Sequence, residues 1–348
     1  MQQIIFSENI GKEIDALCTA IQPDRIYLLT DTTTEKLCTP LLADSQTSKD
    51  VTHITIRATD VHKNLEMLSL VWNALSTGGA SRRSLLINLG GGMVTDLGGF
   101  AAATFKRGID FVNVPTTLLA MVDAAVGGKT SINFNGLKNE IGAFRESCAV
   151  VIDTEFLRTL DSENLRSGYA EMLKHSLLET PAMWADHIGF DLFQPDYAHL
   201  QTLVSQSIST KQRIVEEDPH EHGIRKALNL GHTVGHAFEA LALEQQRPVL
   251  HGYAVAWGLL CELFLSTIHC QFPTKEMQQT VRFIRNVYGP FAFTCDDYTH
   301  LYDLMRHDKK NVGGEINFTL LGGIGDIRLN QHLTREQVFE SFDFFREG

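Results

Sequence analysis

The sequence predicts an α/β domain over residues 1–160 and a mainly α-helical domain over residues 161–348. Three observations predict this fold class. Short apolar runs alternate with helical patterns in the first half, long helical patterns dominate the second half, and 348 residues exceed what one hydrophobic core usually fills. A cleft between two such domains is the natural place for a ligand.

The α/β domain is predicted from apolar runs that are typical of buried strands. These runs are RIYLLTD (25–31), HITIRA (53–58), SLLINLGGG (84–92), DFVNVP (110–115) and CAVVID (148–153). After the second run, apolar residues recur at helical spacing at Leu65, Leu68, Val71, Trp72 and Leu75, and Gly78–Gly79 end that helix. Strands that alternate with helices indicate a parallel sheet with helices on its faces.

The second domain is predicted from long helical patterns. They stand at RSGYAEMLKHSLLE, YAHLQTLVSQSISTKQRIVEE, LGHTVGHAFEALALE and TKEMQQTVRFIRNVYG. A strand pattern returns only in EINFTLLGGIGDIRL (315–329), which predicts a small strand pair or hairpin.

Composition limits the partners and the compartment. The net charge of −12 argues against a nucleic-acid partner, because phosphate contacts need a basic surface, but it allows a small anionic substrate in a cleft of local positive charge. The six cysteines form no CxxC pair and are typical of reduced residues in a cytoplasmic protein. We expect no signal peptide in MQQIIFSENIGKEI, and no membrane partner, since the longest apolar stretch (253–265) carries Glu262 and is too short to span a bilayer.

The segment NLGGGMVTDLGGF (88–100) follows a predicted strand and opens a helix. Glycines let the backbone approach a ligand, and the first N–H groups of a helix bind phosphate. The pattern is not a true G-x-G-x-x-G, because Thr95 takes the last position, and alone it is equally consistent with a tight structural turn. Asp31, at the end of YLLTD, is alone more typical of a helix cap, but a ribose can bind such an acid. Together the two features favour a nucleotide in a Rossmann-like domain.

A second polar segment lies among glycines and apolar residues in VPTTLLAMVDAAVGGKTSINFNGLKNEIGAF (114–144). Its candidate polar residues are Thr116, Thr117, Asp123, Lys129, Lys138 and Asn139. Gly127–Gly128 before Lys129 indicate a turn that presents an ammonium group inward. Lysine is most often a solvated surface residue, but two lysines in so apolar a setting favour anion binding.

The segment NLGHTVGHAFEAL (229–241) carries a candidate metal site. At about 100° per residue, His232, His236 and Glu239 fall within roughly 60° of one another. The opposite face carries Val234, Ala237, Phe238 and Leu241. The histidines therefore face away from the apolar stripe that anchors this helix. Thr233 argues against a thermolysin-like protease, because it stands where the catalytic glutamate of such an enzyme would be.

Other acidic and histidine residues could complete a metal site. Glu171, Lys174 and His175 share one face of a second predicted helix, and His251 comes just before a third. Glutamate with two or three histidines is an ordinary ligand set for catalytic zinc. The alternative is that these histidines are ordinary polar residues, since 14 histidines make some clustering expected.

Seven motifs in this order resemble 3-dehydroquinate synthase, a member of the sugar-phosphate cyclase superfamily. They are GGGMVTDLGGFAAATFKRG, FVNVPTTLLAMVDAAVGGKT, GLKNEIGAF, AEMLKH, LNLGHTVGHA, HGYAVAWG and DKKN, and the match runs from about residue 25 to residue 328. The resemblance implies a Rossmann-like NAD-binding domain, a helical metal-binding domain and a homodimer.

The resemblance also implies the site residues. NAD would contact Asp31, Asp60, Lys63, Gly92, Met93, Val94, Thr95, Asp96, Thr116, Thr117, Lys138, Phe156, Leu157, Arg158 and Thr159. Zinc, or cobalt or another divalent ion, would be held by Glu171, His232 and His251. The residues that would meet substrate or act in catalysis are Arg107, Asp123, Lys129, Asn139, Lys174, Lys211, Glu221, Arg225, Asn229, His236 and either Lys309 or Lys310. His236 would hydrogen-bond near the substrate and help proton transfer.

The implied reaction converts 3-deoxy-D-arabino-heptulosonate 7-phosphate to 3-dehydroquinate and phosphate. NAD would oxidise the substrate transiently, β-elimination would release phosphate, and reduction, ring opening and an intramolecular aldol closure would follow. Zinc would act as a Lewis acid at the oxidised carbon. The cations Arg107, Lys129, Lys174 and Arg225 suit a substrate with a phosphate and a carboxylate.

Other enzymes and one non-enzyme class remain as alternatives. A sister cyclase acting on sedoheptulose 7-phosphate would share NAD, metal and most motifs, but Asn229 and the DKKN lysines favour the dehydroquinate type. A metal-dependent alcohol or glycerol-phosphate dehydrogenase would share the two-domain plan, but the VGGKT and LKN segments argue against it. A catalytically inactive nucleotide-binding module is disfavoured by the full set of candidate ligands and cations.

One motif departs from the family pattern. The family shows Gly-Glu-x-x-Lys on a loop that contacts NAD, whereas this chain reads TDVHK at residues 59–63. Thr59 replaces the glycine, and Asp60 keeps the carboxylate on a shorter side chain.

Overall fold

The chain folds as two units, Met1–Asp161 and Ser162–Gly348, in a computed structural model that describes residues 2–306 and 316–347. The first unit contains a parallel sheet with helices, and the second is mainly helical. This confirms the predicted fold class.

The described part of the first unit has eight strands. They are β1 (Gln3–Phe6), β2 (Ile26–Asp31), β3 (Thr52–Ile56), β4 (Leu85–Gly90), β5 (Asp110–Pro115), β6 (Lys129–Phe134), β7 (Leu137–Phe144) and β8 (Ala149–Ile152). Six of them form a parallel sheet in the order β1-β8-β5-β4-β2-β3, and β6 pairs with β7 as an antiparallel hairpin. The five predicted strands are all present. Every residue of β4 is buried, as expected for a parallel strand covered on both faces.

The helices of the first unit are α1 (Ile10–Ile21), α2 (Thr32–Leu37), α3 (Leu65–Thr77) and α4 (Gly92–Thr104). Side chains that precede three of them accept a backbone N–H of the first turn: Asn9 before α1, Asp31 before α2 and Asn64 before α3. The core of this unit forms where α3 and α4 pack on the sheet, with Leu68, Val71 and Leu97 fully buried.

The second unit carries the remaining helices and one strand pair. Its described helices are α5 (Ser162–Leu177), α6 (Pro181–Gly189), α7 (Tyr197–Glu217), α8 (His232–Glu244), α9 (His251–Cys270), α10 (Thr274–Tyr288), α11 (Tyr298–Arg306) and α12 (Arg335–Glu347). β9 (Phe318–Gly323) and β10 (Asp326–Gln331) pair antiparallel, which confirms the hairpin predicted near the end of the chain.

Helix α9 is the central helix of the second unit. It is long and apolar enough to cross a membrane, with a mean hydropathy of 1.4, so the expectation that the apolar stretch 253–265 is too short was wrong. However, 67% of its apolar window is buried inside the protein. Glu262 lies in this helix and is fully buried. The helix is therefore a core helix, since the core helices of soluble proteins meet the same test of length and composition.

Helix α8 is anchored to this core by its apolar face. Phe238 is fully buried, and its ring centroid lies between 5.1 and 6.1 Å from those of Phe291, Phe293, Phe342 and Phe345. Aromatic pairs at such distances stabilise a core beyond their buried area. The predicted apolar stripe of this helix is confirmed, and the side that carries the histidines lies away from it.

Helices α8 and α9 approach each other closely at Gly258. A Cβ atom at this position would lie 1.9 Å from the carbonyl oxygen of Gly231 and 2.6 Å from the backbone nitrogen of Gly235. Both atoms belong to backbone, so neither can move aside without shifting α8. Glycine at this position therefore sets the distance between the two helices.

We predict that Gly258→Ala destabilises the protein by roughly 1–3 kcal/mol, because the added methyl group forces the two backbones apart. The control is Gly189→Ala at the end of α6, where an added Cβ meets nothing within 4 Å, and which should leave stability unchanged or raise it by up to about 1 kcal/mol. Thermal unfolding of both variants measures the difference. Equal midpoints for the two variants would contradict this account of the helix contact.

Candidate functional site

Three histidines of the second unit lie together. His232 is the first residue of α8, His236 lies one turn later, and His251 is the first residue of α9. Their ring centroids are 5.3 to 5.8 Å apart, and each offers a ring nitrogen within 4.8 Å of the others. The close packing of α8 on α9 brings these residues together although they are up to 19 positions apart in the sequence.

Helix α5 adds a buried carboxylate to this cluster. Glu171 is fully buried, and its Oε1 lies 3.2 Å from Nε2 of His232 and 3.7 Å from Nε2 of His251. Its Oε2 accepts a hydrogen bond from Nζ of Lys174, one turn later on the same helix. One carboxylate oxygen and two imidazole nitrogens therefore face a common point.

The electrostatics of Glu171 favour its charged form. Burial raises the pKa of this carboxyl, but the Lys174 ammonium and His232 outweigh burial, so the pKa lies well below its ordinary value. The carboxylate is therefore ionised at neutral pH. An ionised carboxylate beside two imidazoles is a donor set that suits zinc.

The second nitrogen of each of these two histidines has its own partner. Nδ1 of His232 lies 3.1 Å from the carbonyl oxygen of Leu230, and Nδ1 of His251 lies 3.1 Å from Oε2 of Glu239. A proton on Nδ1 leaves Nε2, on the side of Glu171, as the atom that would bind a metal ion. Burial lowers the pKa of His251, but the carboxylates of Glu171 and Glu239, one on each side of the ring, raise it to about 10, so a divalent cation would displace a proton from Nε2.

A loop before α8 holds several of the predicted substrate residues. Asp218 accepts hydrogen bonds from the backbone nitrogens of His222, Gly223 and Arg225, which closes the loop around its carboxylate. Arg225 is buried, and its Nη1 donates to the carbonyl oxygen of Pro219 at 2.6 Å.

The same loop brings Glu221 and Asn229 together. Nδ2 of Asn229 lies 3.2 Å from Oε1 of Glu221. Lys211 of α7 is also buried in this unit. Lys309 and Lys310 lie outside the described residues.

In the first unit, the predicted cofactor residues follow neighbouring strands. Gly92 to Asp96 form the first turn of α4 directly after β4, and Thr116 and Thr117 follow β5, which pairs with β4. Ligands of open parallel sheets bind at the carboxyl ends of the strands, where these residues lie. Asp31 ends β2, and its Oδ1 accepts hydrogen bonds from the backbone nitrogens of Thr33 and Thr34, so it caps α2.

A charged network joins five of the predicted residues, with Lys63 also 3.9 Å from Asp60. Nζ of Lys63 lies 2.9 Å from Oδ2 of Asp96 and 2.5 Å from Oδ1 of Asn139, and the lysine is almost fully buried. Burial raises the pKa of Asp96 despite the neighbouring ammonium group. Nζ of Lys138 lies 3.7 Å from Oδ2 of Asp60. These groups were predicted separately from the sequence, and the structure brings them into one network.

The other predicted residues of this unit differ in exposure. The side chains of Val94, Phe156 and Leu157 are fully buried, so a cofactor would reach them through backbone atoms. Thr159 donates to the carbonyl oxygen of Phe156. Exposed or partly exposed are Met93, Arg107, Asp123, Lys129 and Arg158.

Comparison with known proteins decides the family. The family models for the N-terminal and C-terminal parts of 3-dehydroquinate synthase match residues 53–167 and 168–311. A 3-dehydroquinate synthase of Parabacteroides distasonis is 51% identical over 347 residues, which cover 100% of this chain and 98% of that protein. The chain belongs to the 3-dehydroquinate synthase family. A second 3-dehydroquinate synthase, of Bordetella pertussis, is 40% identical over 285 residues, which cover 81% of this chain and 78% of that protein.

Solved structures share the fold over nearly the whole chain. The 2-epi-5-epi-valiolone synthase of Streptomyces hygroscopicus, solved with NAD+ and Zn2+ bound, has a TM-score of 0.88 at 25% identity and covers 100% of this chain and 97% of that one. A 2-deoxy-scyllo-inosose synthase has a TM-score of 0.84 at 21% identity and covers 99% of this chain and 96% of that one. Butanol dehydrogenase A of Thermotoga maritima has a TM-score of 0.67 at 13% identity and covers 99% of this chain and 96% of that one. At 21% and 13% identity the likeness concerns the fold alone, so fold does not separate this 3-dehydroquinate synthase family from dehydrogenases.

The departure from the family motif lies at a strained residue. Thr59 has φ of 83° and ψ of 148°, a conformation that a β-branched residue rarely adopts. The 3-dehydroquinate synthase pattern has glycine there, which adopts such angles freely. The backbone at Thr59 therefore has a geometry that suits glycine better than threonine. Asp60, the next residue, takes part in the ion pair with Lys138.

We predict that Thr59→Gly stabilises the protein by about 1 kcal/mol, because relief of a strain of roughly 1–3 kcal/mol exceeds the entropic cost of glycine, about 0.5–1 kcal/mol. The loss of the contact between Oγ1 of Thr59 and Nδ1 of His62, at 3.2 Å, reduces the gain. The matched control is Ala58→Gly, at the neighbouring residue with negative φ, which should lose stability. Chemical denaturation measures both variants, and a loss in both would argue against strain at Thr59.

Proposed function

We propose that this chain is a 3-dehydroquinate synthase that converts 3-deoxy-D-arabino-heptulosonate 7-phosphate to 3-dehydroquinate and phosphate. The observation that carries the proposal is the meeting of Glu171, His232 and His251 beside the buried Lys174, in a chain 51% identical to a 3-dehydroquinate synthase along its full length. The reaction belongs to the shikimate pathway of aromatic amino-acid biosynthesis.

We infer that Glu171, His232 and His251 hold Zn2+ or Co2+. Donor atoms bound to a tetrahedral zinc stand about 3.3–3.4 Å apart, and Oε1 of Glu171 lies 3.2 and 3.7 Å from the two imidazole nitrogens, which supports the fit. His236 would then hydrogen-bond near the substrate and help proton transfer. When bound, the metal would supply Lewis-acid polarisation of a substrate oxygen and NAD would supply the transient oxidation.

For NAD we propose the residues at the carboxyl ends of the parallel strands. The amino end of α4, whose first turn runs from Gly92 to Asp96, suits the pyrophosphate, since helix N-termini favour anions. Asp31 would accept hydrogen bonds from a ribose. The other residues proposed to contact NAD are Asp60, Lys63, Thr116, Thr117, Lys138 and the segment Phe156 to Thr159.

The substrate carries a phosphate and a carboxylate, which need cationic partners. Lys174, Lys211 and Arg225 are three buried cations of the second unit. Burial of a cation is costly unless it meets an anion or a hydrogen-bonding group, and a bound phosphate or carboxylate is such a group. Arg225 can bind a carboxylate or a phosphate with two hydrogen bonds. The other residues proposed to contact substrate are Arg107, Asp123, Lys129, Asn139, Glu221, Asn229 and Lys309 or Lys310.

We further propose a cytoplasmic homodimer. The six cysteines are all free, which suits a reducing compartment. The hairpin of β6 and β7 exposes Phe134, Leu137, Ile141 and Phe144, which suit a contact with a second copy of the chain.

We predict that the purified protein, with NAD and Zn2+, releases phosphate from 3-deoxy-D-arabino-heptulosonate 7-phosphate without net NADH, because the oxidation is reversed in each turnover. A phosphate assay and NADH absorbance measure the two quantities, and the reaction without NAD is the control. Stoichiometric NADH would indicate a dehydrogenase instead. Phosphate release only from sedoheptulose 7-phosphate would indicate a sister cyclase.

We predict that His251→Ala loses bound zinc whereas His236→Ala retains it, because the proposed ligand set contains His251 and not His236. Metal analysis of the purified variants measures this, with circular dichroism to check folding. The two histidines lie in the same cluster, so each variant serves as the control for the other. Retention in His251→Ala together with loss in His236→Ala would reverse the assignment.

A further inference from the structure

Glu239 lies beside the proposed metal site but on the outer side of His251. It follows His232 by two helical turns on α8, and its side chain is 15% exposed. Its Oε2 lies 3.1 Å from Nδ1 of His251. The opposite ring nitrogen, Nε2, lies 3.7 Å from Oε1 of Glu171. The imidazole of His251 is therefore flanked by two carboxylates, one on each nitrogen.

The other proposed imidazole ligand has a different outer partner. Nδ1 of His232 lies 3.1 Å from the backbone carbonyl oxygen of Leu230, which no substitution removes. His251 instead depends on a side chain, and that side chain belongs to α8, the helix that also carries His232. Helix α8 would therefore supply one ligand directly and orient a second one through Glu239.

We propose that Glu239 is a positioning residue that orients His251 for a divalent cation. A metal-binding imidazole commonly donates its second N–H to a carboxylate, which fixes the ring and the tautomer and makes the metal-facing nitrogen a better donor. The proposal rests on the metal site described under the proposed function. Glu239 would act through His251 and would not bind the metal itself, since its Oε2 contacts the ring nitrogen that faces away from Glu171.

The first experiment measures the affinity of the full-length, metal-free protein for Zn2+ in competition with a chromophoric chelator. We expect Glu239→Ala to bind zinc about 10- to 100-fold more weakly than the wild type. Glu239→Gln should lose less zinc affinity than Glu239→Ala, because the amide oxygen of glutamine can still accept a hydrogen bond from the N–H of His251. The matched control is Glu244→Gln on the same helix, whose Oε2 contacts Nε2 of the exposed His300 at 2.5 Å and which should bind as the wild type does.

The second experiment separates positioning from ligation. Substitution of Co2+ for zinc gives a visible absorption spectrum that reports the number and geometry of the ligands. We expect Glu239→Gln to retain the wild-type Co2+ spectrum at saturating metal, because Glu171, His232 and His251 all remain. A spectrum altered as in His251→Ala would make Glu239 a ligand and overturn the proposal.

Other outcomes also decide the matter. Wild-type zinc affinity in Glu239→Ala would overturn the proposal, and so would equal losses in Glu239→Ala and Glu244→Gln. If Glu239→Ala unfolds, the zinc affinity of Glu239→Gln tests the proposal. Wild-type zinc affinity in Glu239→Gln, together with unfolding of Glu239→Ala, would show that Glu239 has a structural role instead. Phosphate release by the wild type tests the proposed function separately, since the zinc affinities of the variants do not depend on which sugar phosphate is used.

Discussion

The carboxylate of Glu262 holds the amino end of α8, and the position of His232 depends on it. Glu262 is fully buried in α9, and its oxygens accept hydrogen bonds from the backbone nitrogens of Gly231 at 2.6 Å and Val234 at 3.1 Å. The first N–H groups of a helix have no intrahelical partner and carry partial positive charge, so a carboxylate is favourable there. Helix α9 therefore caps α8 with one side chain and presents His251 from its own first residue.

Backbone contact reinforces this arrangement. Gly231 has φ of 81°, and a Cβ atom there would lie 2.7 Å from Cγ of Leu259, so glycine suits both the conformation and the contact. Gly258, next to Leu259 on α9, allows the backbone of α9 to approach the same turn of α8. Two helices in backbone contact leave little freedom for the imidazoles that they carry. The geometry of the candidate metal site is thus a result of helix packing, and Glu171 reaches it from α5, whose Lys174 compensates the buried charge.

The strands of the sheet and the face of α8 that carries the histidines could be predicted from the sequence. Continuous apolar runs gave the strands of the sheet, and helical spacing placed the histidines opposite the apolar face of α8. The hairpin of β6 and β7 could not be predicted, because β7 is exposed along almost its whole length and lacks the alternation of a half-buried strand. The role of Glu262 could not be predicted, because in the sequence it is one charge in an apolar helix and its partners are backbone groups of another helix. Thr59 was noticed only as a departure from a family motif, and its positive φ gives that departure a physical meaning.

The charge balance explains how an acidic chain can suit an anionic substrate. Around His251 and His232 lie two carboxylates, Glu171 and Glu239, and one ammonium group, Lys174. With a divalent cation in place, these groups sum to one net positive charge when the imidazoles are neutral. Arg225 and Lys211 add further buried positive charge within the same unit. The acidic excess behind the net charge of −12 therefore lies in the remainder of the chain, where it does not prevent local attraction of a phosphate. Since dehydrogenases share this fold at 13% identity, such local groups distinguish a cyclase better than the fold does.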